Sequence, residues 1–427
     1  MKKKRAIRNY VLVSLFVVIV LALCFISFPV PGTNFNFLGL ANLHQGLGLG
    51  GGVKNTYNLE VADWFDGTKD EAYVKAVDRI QNLLDKQFAD AKVYLSGEDK
   101  VTIEVPDTSI NSNYLVGFLE MKAEEGESAE TIVSGKHIAK VEYMLNGTTH
   151  GVYIEFTEEG KQKFEELTTT VSEAENGTMY IYMNKDYENP FSQTSVDEPN
   201  TLGYTFISGS SIHDKASGQE YARKIESAMI GVNMTTNLSS IEISGTFGDN
   251  TRLVITIVTI AVVIGCIVLS YILFRELGLV SSLSTLFALM FSVLVSAVCD
   301  MQITFAGWLG FLSGYILNFM LHMYYLNVIK REYAKGKKFT VSFTSGYRGA
   351  LFNILDILLI TLGTTLLTLI VPSNLVNAFA YNLMMTLPAT AFTSMYLNKV
   401  LAVNYSAFNS KNEKKVNFKR EEVSNEE

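Results

Sequence analysis

The chain has 427 residues, of which 48% are hydrophobic and 18% charged, with a formal net charge of −8 and a mean hydropathy of +0.19. A soluble protein of this length usually carries more charge and scatters its apolar residues. Here those residues form long runs, which indicates membrane spans. The negative balance disfavours nucleic acid as a partner.

Cysteine and histidine usage argues against metal sites and disulfides. The three cysteines, Cys24, Cys266 and Cys299, lie in or at the edge of apolar runs, so the polar part of the chain has no thiolate site or disulfide framework. The five histidines are dispersed, and no pair has the helical spacing of zinc ligands. No cofactor is expected.

Six segments are long and apolar enough to cross roughly 30 Å of hydrocarbon. We therefore predict a polytopic α-helical membrane protein in which one span precedes, and five follow, a large polar segment. The predicted spans are about 10–30, 253–274, 277–298, 307–329, 351–371 and 375–401. The predicted domains are a basic amino terminus with the first span (1–30), an extracytoplasmic domain (31–250), a five-span membrane domain (251–402) and a charged tail (403–427).

The first span has an alternative interpretation as a cleaved signal peptide, because five basic residues occur among residues 2–8. Its apolar run, however, is longer than a usual signal-peptide core. The following Phe28-Pro29-Val30-Pro31 also lacks the small residues of a cleavage site. These features favour a retained anchor.

Lys and Arg in the short connections indicate the orientation. The basic residues of 330–348 and of the tail belong on the cytoplasmic side, together with both termini, while the loops at Asp300 and at 372–374 contain none; Arg252 is the exception. Residues 31–250 then lie outside and hold 34 Asp and Glu against 16 Lys and Arg. Such a surface either keeps the domain soluble or favours basic clients.

The polar segment reads as an α+β domain. A strand at 57–61, a helix over 72–88 and a hairpin at 92–95 and 100–105 give the order strand, helix, strand, strand, which is typical of a ferredoxin-like sandwich. A second set follows, with a loop predicted at 186–200. Its predicted elements are strands at 140–144 and 151–156 around an Asn146-Gly147 turn, a helix at 158–168, a strand at 178–183 and a helix at 217–229.

We find no catalytic motif in this domain. G-x-S-x-G, Walker A and HExxH are absent, and the glycine-rich stretch Gly46–Gly52 is not followed by the Lys-Ser/Thr of a phosphate loop. The protein is therefore not expected to be an enzyme. Any ATP-driven step would belong to a partner.

Short motifs occur in a fixed order: QGLGLGGG (45–52), IEVP (103–106), GVYIEFTEEGKQKF (151–164), SGTFG (244–248) and GYRGA (346–350). In order and spacing they resemble the motifs of the SecD family of protein-export subunits. Gly48 and Gly50 depart from that pattern, which has an Asp and a basic or polar residue there. The matching positions singled out as family-motif residues are Gly46, Leu47, Gly51, Gly52, Gly346, Tyr347, Arg348 and Gly349.

The resemblance implies an accessory subunit of the Sec translocase that assists late translocation of unfolded chains on the outer face, driven by the proton gradient. The one-plus-five arrangement is similar to half of the resistance-nodulation-division superfamily fold. A SecF-like subunit would supply the other half. The implied partners are that subunit, the SecYEG channel with SecA, the exported polypeptide and membrane lipid.

The chain departs from the family in the fourth span, where the family carries an intramembrane Asp, the natural proton carrier. Counting without gaps places Met320 there. Asn318 and His322 lie four residues apart on one helix face, and they either relay protons or hydrogen-bond packed helices. Asp356 is a second relay candidate, or else an interfacial acid that pairs with a basic loop.

The missing carboxylate leaves a second function open, that of a non-transporting scaffold of an export complex. A small-molecule or lipid exporter of the same superfamily is a further alternative. It would share the fold but lack the GYRGA motif and the motifs of the polar segment.

Overall fold

The computed structural model describes residues 3–23, 26, 28–29, 36–37, 44–106, 115–174, 176–299, 301–408 and 413–418. The chain divides into two compact units: the β-rich domain, Gly52–Ile243, and the membrane unit, formed by Met1–Gly51 and Ser244–Glu427. The β-rich domain lies inside the range 31–250 predicted for the extracytoplasmic domain. Cys24, Val30, Pro31, Asp300 and the end of the charged tail lie outside the described residues.

The described part of the chain is helical at both ends and β-rich in the middle. A π-helical turn, Thr393–Leu397, joins the last two α-helices. The α-helices are α1 (Lys3–Leu23), α2 (Leu47–Gly50), α3 (Lys69–Leu84), α4 (Glu158–Glu173), α5 (Lys215–Ser227), α6 (Thr251–Phe274), α7 (Glu276–Val298), α8 (Phe305–Ala334), α9 (Phe339–Thr368), α10 (Asn374–Phe392) and α11 (Asn398–Phe408).

The strands form antiparallel sheets. They are β1 (Phe28–Pro29), β2 (Asn36–Phe37), β3 (Gly52–Val61), β4 (Lys92–Leu95), β5 (Lys100–Val105), β6 (Leu119–Lys122), β7 (Thr131–Ser134), β8 (Ile138–Asn146), β9 (Thr149–Phe156), β10 (Thr178–Met183), β11 (Ser192–Ser195), β12 (Tyr204–Ile207) and β13 (Val232–Ile243).

One sheet of the β-rich domain has the strand order β13-β3-β5-β4, with α3 packed on it. Alternate residues of β3 are buried, as expected for a strand with one face on a core. The start of α3 is fixed by a capping box between Thr68 and Glu71, and its buried stripe contains Ala72, Ala76 and Ile80.

The rest of the domain contains two further sheets, β11-β10-β6-β7 and β12-β9-β8. Both share one core with α4, whose Phe164, Leu167 and Val171 face it. Thr157 caps the start of α4 by accepting a hydrogen bond from the Gly160 amide. The predicted Asn146-Gly147 turn is present, with Gly147 in the left-handed region at φ 63°.

Two predictions for this domain were inaccurate, and one long strand was missed. The first helix ends at Leu84 and does not reach residue 88. The loop predicted at 186–200 contains β11, which pairs with β10. The long strand β13 was not predicted, because its sequence VNMTTNLSSIEI has no clean apolar alternation and its register is set by pairing with β3.

Within the described residues, three helices of the membrane unit, α6, α7 and α9, are long and apolar enough to cross a membrane by length and composition. The segments predicted as the first, fourth and sixth spans are also helical, as α1, α8 and α10–α11. Two helices differ in length from the predicted spans. Helix α1 ends at Leu23, and α9 begins at Phe339, well before residue 351.

A tight turn joins α6 to α7. Arg275 connects the two helices in the left-handed region at φ 51°. A Cβ on Gly278 would lie 2.0 Å from the Ser270 carbonyl oxygen, so only glycine permits this approach of the helices. Ser270 and Ser282 share a hydrogen bond of 2.7 Å across the contact.

Candidate functional site in the membrane unit

Asn318 and His322 lie one turn apart on α8 and are both completely buried. Met320, the residue at the gapless position of the family's acid, is 57% exposed and therefore faces away from this core. The shared face expected from the four-residue spacing thus carries the polar side chains inward.

Asn318 connects α8 to the π-helical turn. Its Nδ2 donates to Oγ1 of Thr393 at 2.7 Å, and that hydroxyl donates to the Ala389 carbonyl at 2.8 Å. The Asn318 Oδ1 atom is buried and has no hydrogen-bond partner among the described residues. Half of the amide therefore ties two helices together, while the other half is available to a further group.

The imidazole ring of His322 makes no comparable hydrogen bond. Backbone groups of Ser281, on α7, and of Thr393 lie close to its ring, yet neither ring nitrogen makes a hydrogen bond within the described part of the chain. The buried Ser281 hydroxyl is also unpaired there. Buried polar groups are normally bonded, because leaving one unpaired costs about 1–3 kcal/mol. We call Ser281, Asn318, His322 and Thr393 the central polar cluster.

A water molecule would satisfy the cluster. Its unpaired atoms are two imidazole nitrogens, an amide oxygen and a hydroxyl. Together they can donate to and accept from a water, and an imidazole can exchange a proton with it. The cluster contains no carboxylate, and the described residues contain no group of three or more His, Cys, Asp or Glu able to hold a metal ion.

Tyr347 reaches the same π-helical turn from α9. Its hydroxyl donates to the Met395 carbonyl, and the Lys399 ammonium lies 4.0 Å from the centre of its ring. A π turn leaves backbone groups without their usual helical partners, and such turns occur often at functional sites. Helices α8 and α9 therefore both bond to the interruption between α10 and α11, through Asn318 and Tyr347.

The GYRGA motif lies inside α9. Gly346 is buried against α8, where an added Cβ would meet the Ile329 Cα at 2.8 Å. Gly349 is exposed, and an added Cβ would meet only the Val328 side chain, at 3.6 Å. Arg348 is exposed as well. The two glycines therefore face different surroundings.

Asp356 is exposed on α9 and makes no hydrogen bond or ion pair within the described residues. The basic loop expected to pair with it bonds Glu332 instead. Lys335 donates to this carboxylate at 2.8 Å, and Lys337 and Ser345 donate as well. These hydrogen bonds lower the pKa of Glu332 to about 2.

The glycine-rich motif pairs with a second motif, which the sequence did not predict. The Thr246 amide donates to the Gly48 carbonyl at 2.8 Å, and so does the Thr246 hydroxyl at 2.9 Å. Gly46 donates to the Ile303 carbonyl at 2.8 Å. The motif thus forms a short helix, α2, held on both sides.

Each matched glycine of this motif has a definite place. Gly46 precedes α2 in an extended conformation, Leu47 is buried, and Gly51 ends the helix at φ 73°, a conformation that favours glycine. Gly52 begins β3 of the β-rich domain. Within the membrane unit a Cβ on Gly245 would approach the Leu49 carbonyl oxygen to 2.9 Å, so both motifs need small residues.

Sequence reasoning missed Ser281 and Thr393 of the central polar cluster. Their signal was present, because a polar side chain inside a long apolar helix faces the bundle interior more often than lipid. Many serines and threonines occur in these helices, however. Nothing in the local sequence distinguishes the paired hydroxyl of Ser282 from the unpaired one of Ser281.

Comparisons with known proteins agree with the resemblance. No protein-family model matches the chain. The protein translocase subunit SecD of Dictyoglomus turgidum is 23% identical over 365 residues, which cover 84% of this chain and 88% of that protein.

Two crystal structures of SecDF are similar in fold. One, in a super-membrane-facing form, has a TM-score of 0.66 at 18% identity and covers 95% of this chain. The other, from Thermus thermophilus, has a TM-score of 0.57 at 19% identity and covers 93%. This chain spans 58% and 59% of their lengths. The chain is therefore a membrane protein that is similar to a SecD subunit over most of its length and has the fold of the SecDF structures.

Proposed function

We propose that this protein is a SecD-like accessory subunit of the Sec protein-export translocase that assists the late translocation of unfolded chains on the outer face of the membrane. The observation that carries the proposal is the similarity to a protein translocase subunit over 88% of that subunit's length. The acidic β-rich domain is the part that would contact the exported chain.

A SecF-like subunit is the expected partner, together with the SecYEG channel and SecA. The support is the similarity in fold to SecDF, of which this chain spans 58%. Purification of the tagged full-length protein in mild detergent should recover a SecF-like chain and channel subunits. Depletion of the protein should slow a late step of export. Recovery of neither partner, together with normal export, would contradict the proposal.

We further propose six spans with both termini in the cytoplasm and a ferredoxin-like first sheet. The strand order β13-β3-β5-β4 with α3 between β3 and β4 supports the sheet assignment, and the Lys/Arg bias supports the orientation. In a background with all three cysteines replaced, Ser195→Cys should react with an impermeant thiol reagent in intact cells and Lys338→Cys should not. Both positions are exposed, so the opposite labelling would invert the topology.

For energy coupling, we propose that His322 replaces the absent carboxylate as proton carrier, with Asn318 holding its surroundings. The burial of His322 and its two unpaired nitrogens support this role. His322→Leu should slow late export in a stable, partnered protein, and a protonophore should slow the wild type to the mutant rate. His322→Gln keeps a hydrogen-bonding group but cannot titrate, so a fully active Gln variant would exclude the relay.

Asp356 is the second candidate carrier. Its exposure and lack of an ion pair support contact with a partner helix more than a role inside this chain. Asp356→Asn should then weaken recovery of the SecF-like chain. Loss of proton-dependent export with normal recovery would instead support a relay role.

A non-transporting scaffold is the second candidate function. The observation that favours it is that the position counted for the family's acid, Met320, faces outward and the central polar cluster holds no carboxylate. A scaffold predicts that His322→Leu assembles normally and exports normally, with or without a protonophore.

A further inference from the structure

Residues 413–418, the last described part of the chain, are docked on one end of the membrane unit. Glu413–Val416 form a 3₁₀ turn. Val416 is completely buried and Phe418 is 8% exposed, whereas Lys415 is exposed to solvent. This alternation is that of a bound segment with an inner and an outer side.

Polar contacts attach the segment to the α6–α7 turn. The Lys415 ammonium lies 3.0 Å from Oε1 of Glu276, and Oε2 of the same carboxylate accepts a hydrogen bond of 2.8 Å from Tyr405. The Asn417 side-chain amide donates to the Leu273 carbonyl at 3.3 Å. That carbonyl belongs to the last turn of α6, where backbone acceptors lack helical partners.

An aromatic socket at the α8–α9 connection holds the segment's end. The Phe418 ring lies 5.7 Å from that of Tyr333, 6.3 Å from Phe339 and 6.4 Å from Phe343, measured between ring centres. All three socket residues are at most 4% exposed with the segment in place. Tyr333 lies in the last turn of α8, and Phe339 and Phe343 lie near the start of α9, so the socket spans two helices.

We propose that this socket is a peptide-binding site whose ligand is the chain's own segment Lys415–Phe418, and that the bound segment straps the α6–α7 turn to the α8–α9 connection. The apolar anchors Val416 and Phe418 supply burial. Asn417 and Lys415 set the register by bonding Leu273 and Glu276. The site lies apart from the central polar cluster and does not depend on the protein's role in export.

Thiol reactivity in the purified full-length protein tests the strap. In a background lacking the native cysteines, Val416→Cys should react with a maleimide at least about tenfold more slowly than Lys415→Cys, since a docked residue reacts only when the segment opens locally. Adding Phe418→Ala should bring the two rates together, and Phe418→Leu should leave most of the protection. Equal rates without any change at residue 418 would overturn the proposal.

A peptide experiment tests the site itself. The Phe418→Ala chain should bind a labelled synthetic peptide of residues 413–418 from solution, as followed by fluorescence anisotropy. The same peptide carrying Ala at the position of Phe418 should bind at least about tenfold more weakly, because a buried aromatic anchor carries much of such an interaction. Circular dichroism should show unchanged helix content in the variant. A correctly folded variant that binds neither peptide, or both equally, would disprove a specific site.

Discussion

Buried polar atoms without a hydrogen-bond partner are more frequent among the described residues of the membrane unit than among those of the β-rich domain, where Asn55 Oδ1 and Trp64 Nε1 are examples. In the β-rich domain the nearly buried Lys122 ammonium donates to the Glu127 carbonyl at 3.1 Å and lies 4.4 Å from the Tyr187 ring. Thr168, also buried, both donates and accepts. In the membrane unit, buried hydroxyl, amide and imidazole groups are left unpaired, among them Ser281, Ser394 and both polar atoms of Asn398.

The difference indicates which polar groups serve the fold. A buried polar group that is fully bonded stabilises or specifies a fold, whereas an unbonded one is a net cost unless water or a ligand pairs with it. In hydrocarbon that cost is higher, because no lipid group can replace the missing partner. The unpaired groups of the membrane unit are therefore the better candidates for function, and the paired groups for stability.

The largest expected effect on stability separates the two glycines of GYRGA. Gly346→Val should lower the free energy of unfolding by more than about 2 kcal/mol, because the new side chain must displace the α8 backbone at Ile329. Gly349→Val should change it much less, since that position is open. Thermal unfolding of both variants in detergent measures the difference.

The same two glycine variants also test for a contact with a partner chain. Gly349→Val reduces recovery of the SecF-like chain if its exposed face packs against a partner helix. Equal destabilisation by the two substitutions would show that the helices are not packed as described.

The next largest effect concerns the hydrogen-bonded buried polar groups of the β-rich domain. Thr168→Val removes a hydroxyl that donates to the Phe164 carbonyl at 2.8 Å and accepts from the Asn200 amide at 2.9 Å. We expect a loss of about 1–2 kcal/mol, because the Asn200 amide loses its acceptor. Thr170→Val is the matched control, since that side chain is exposed and bonds only its own helix. Chemical denaturation followed by tyrosine fluorescence would measure both, and identical midpoints would contradict the reasoning.

The sequence predicted what local patterns determine and missed what distant pairing determines. The helix stripe of α3, the hairpin β4–β5 and the Asn146-Gly147 turn follow from spacing and turn chemistry. Strand β13 depends on β3, far away in the chain. The bond between Gly48 and Thr246 likewise joins segments that precede and follow the β-rich domain in the sequence, and no local pattern encodes it.

The candidate site shows the same division. The shared face of Asn318 and His322 follows from their spacing of four. Their unpaired atoms do not, because pairing depends on α7 and on the π-helical turn, which has no recognised signature in the sequence. Met320, the position reached by gapless counting, faces outward, because the count gives a place in the alignment and not a direction on the helix.

A smaller, pH-dependent effect is expected at His137 of the β-rich domain. Its Nδ1 accepts a hydrogen bond of 3.1 Å from the Ser134 amide, and burial lowers the pKa of the ring, partly offset by Glu159 and reinforced by Lys136. The unfolded chain therefore binds this proton at a higher pH than the folded chain does. Stability should fall as the pH drops below about 6.5, the pKa of an unperturbed histidine.

The His137→Gln variant isolates that contribution. Its side-chain oxygen can still accept a hydrogen bond but does not titrate between pH 7.5 and 5.5. Hydrogen exchange of the full-length protein at both values should show a pH-dependent loss of protection near β7 and β8 in the wild type, in excess of the loss in the variant. The same loss in both proteins would assign the pH dependence to other groups.

The smallest expected effect on stability concerns two adjacent serines on α7. This pair is also the most informative about function. Ser282 is bonded to Ser270 at 2.7 Å and to the Gly278 carbonyl at 2.9 Å, whereas the Ser281 hydroxyl is unpaired beside His322. Ser282→Ala should cost about 1 kcal/mol, and Ser281→Ala should leave stability within about 0.5 kcal/mol. If the central polar cluster carries protons through bound water, Ser281→Ala should nevertheless slow proton-dependent export, because it removes a hydroxyl that would hold that water. Ser282→Ala should export normally once its stability is restored by lower temperature. Export that follows stability in both variants would make the unpaired hydroxyl incidental, and the comparison between paired and unpaired groups would then not identify the functional site.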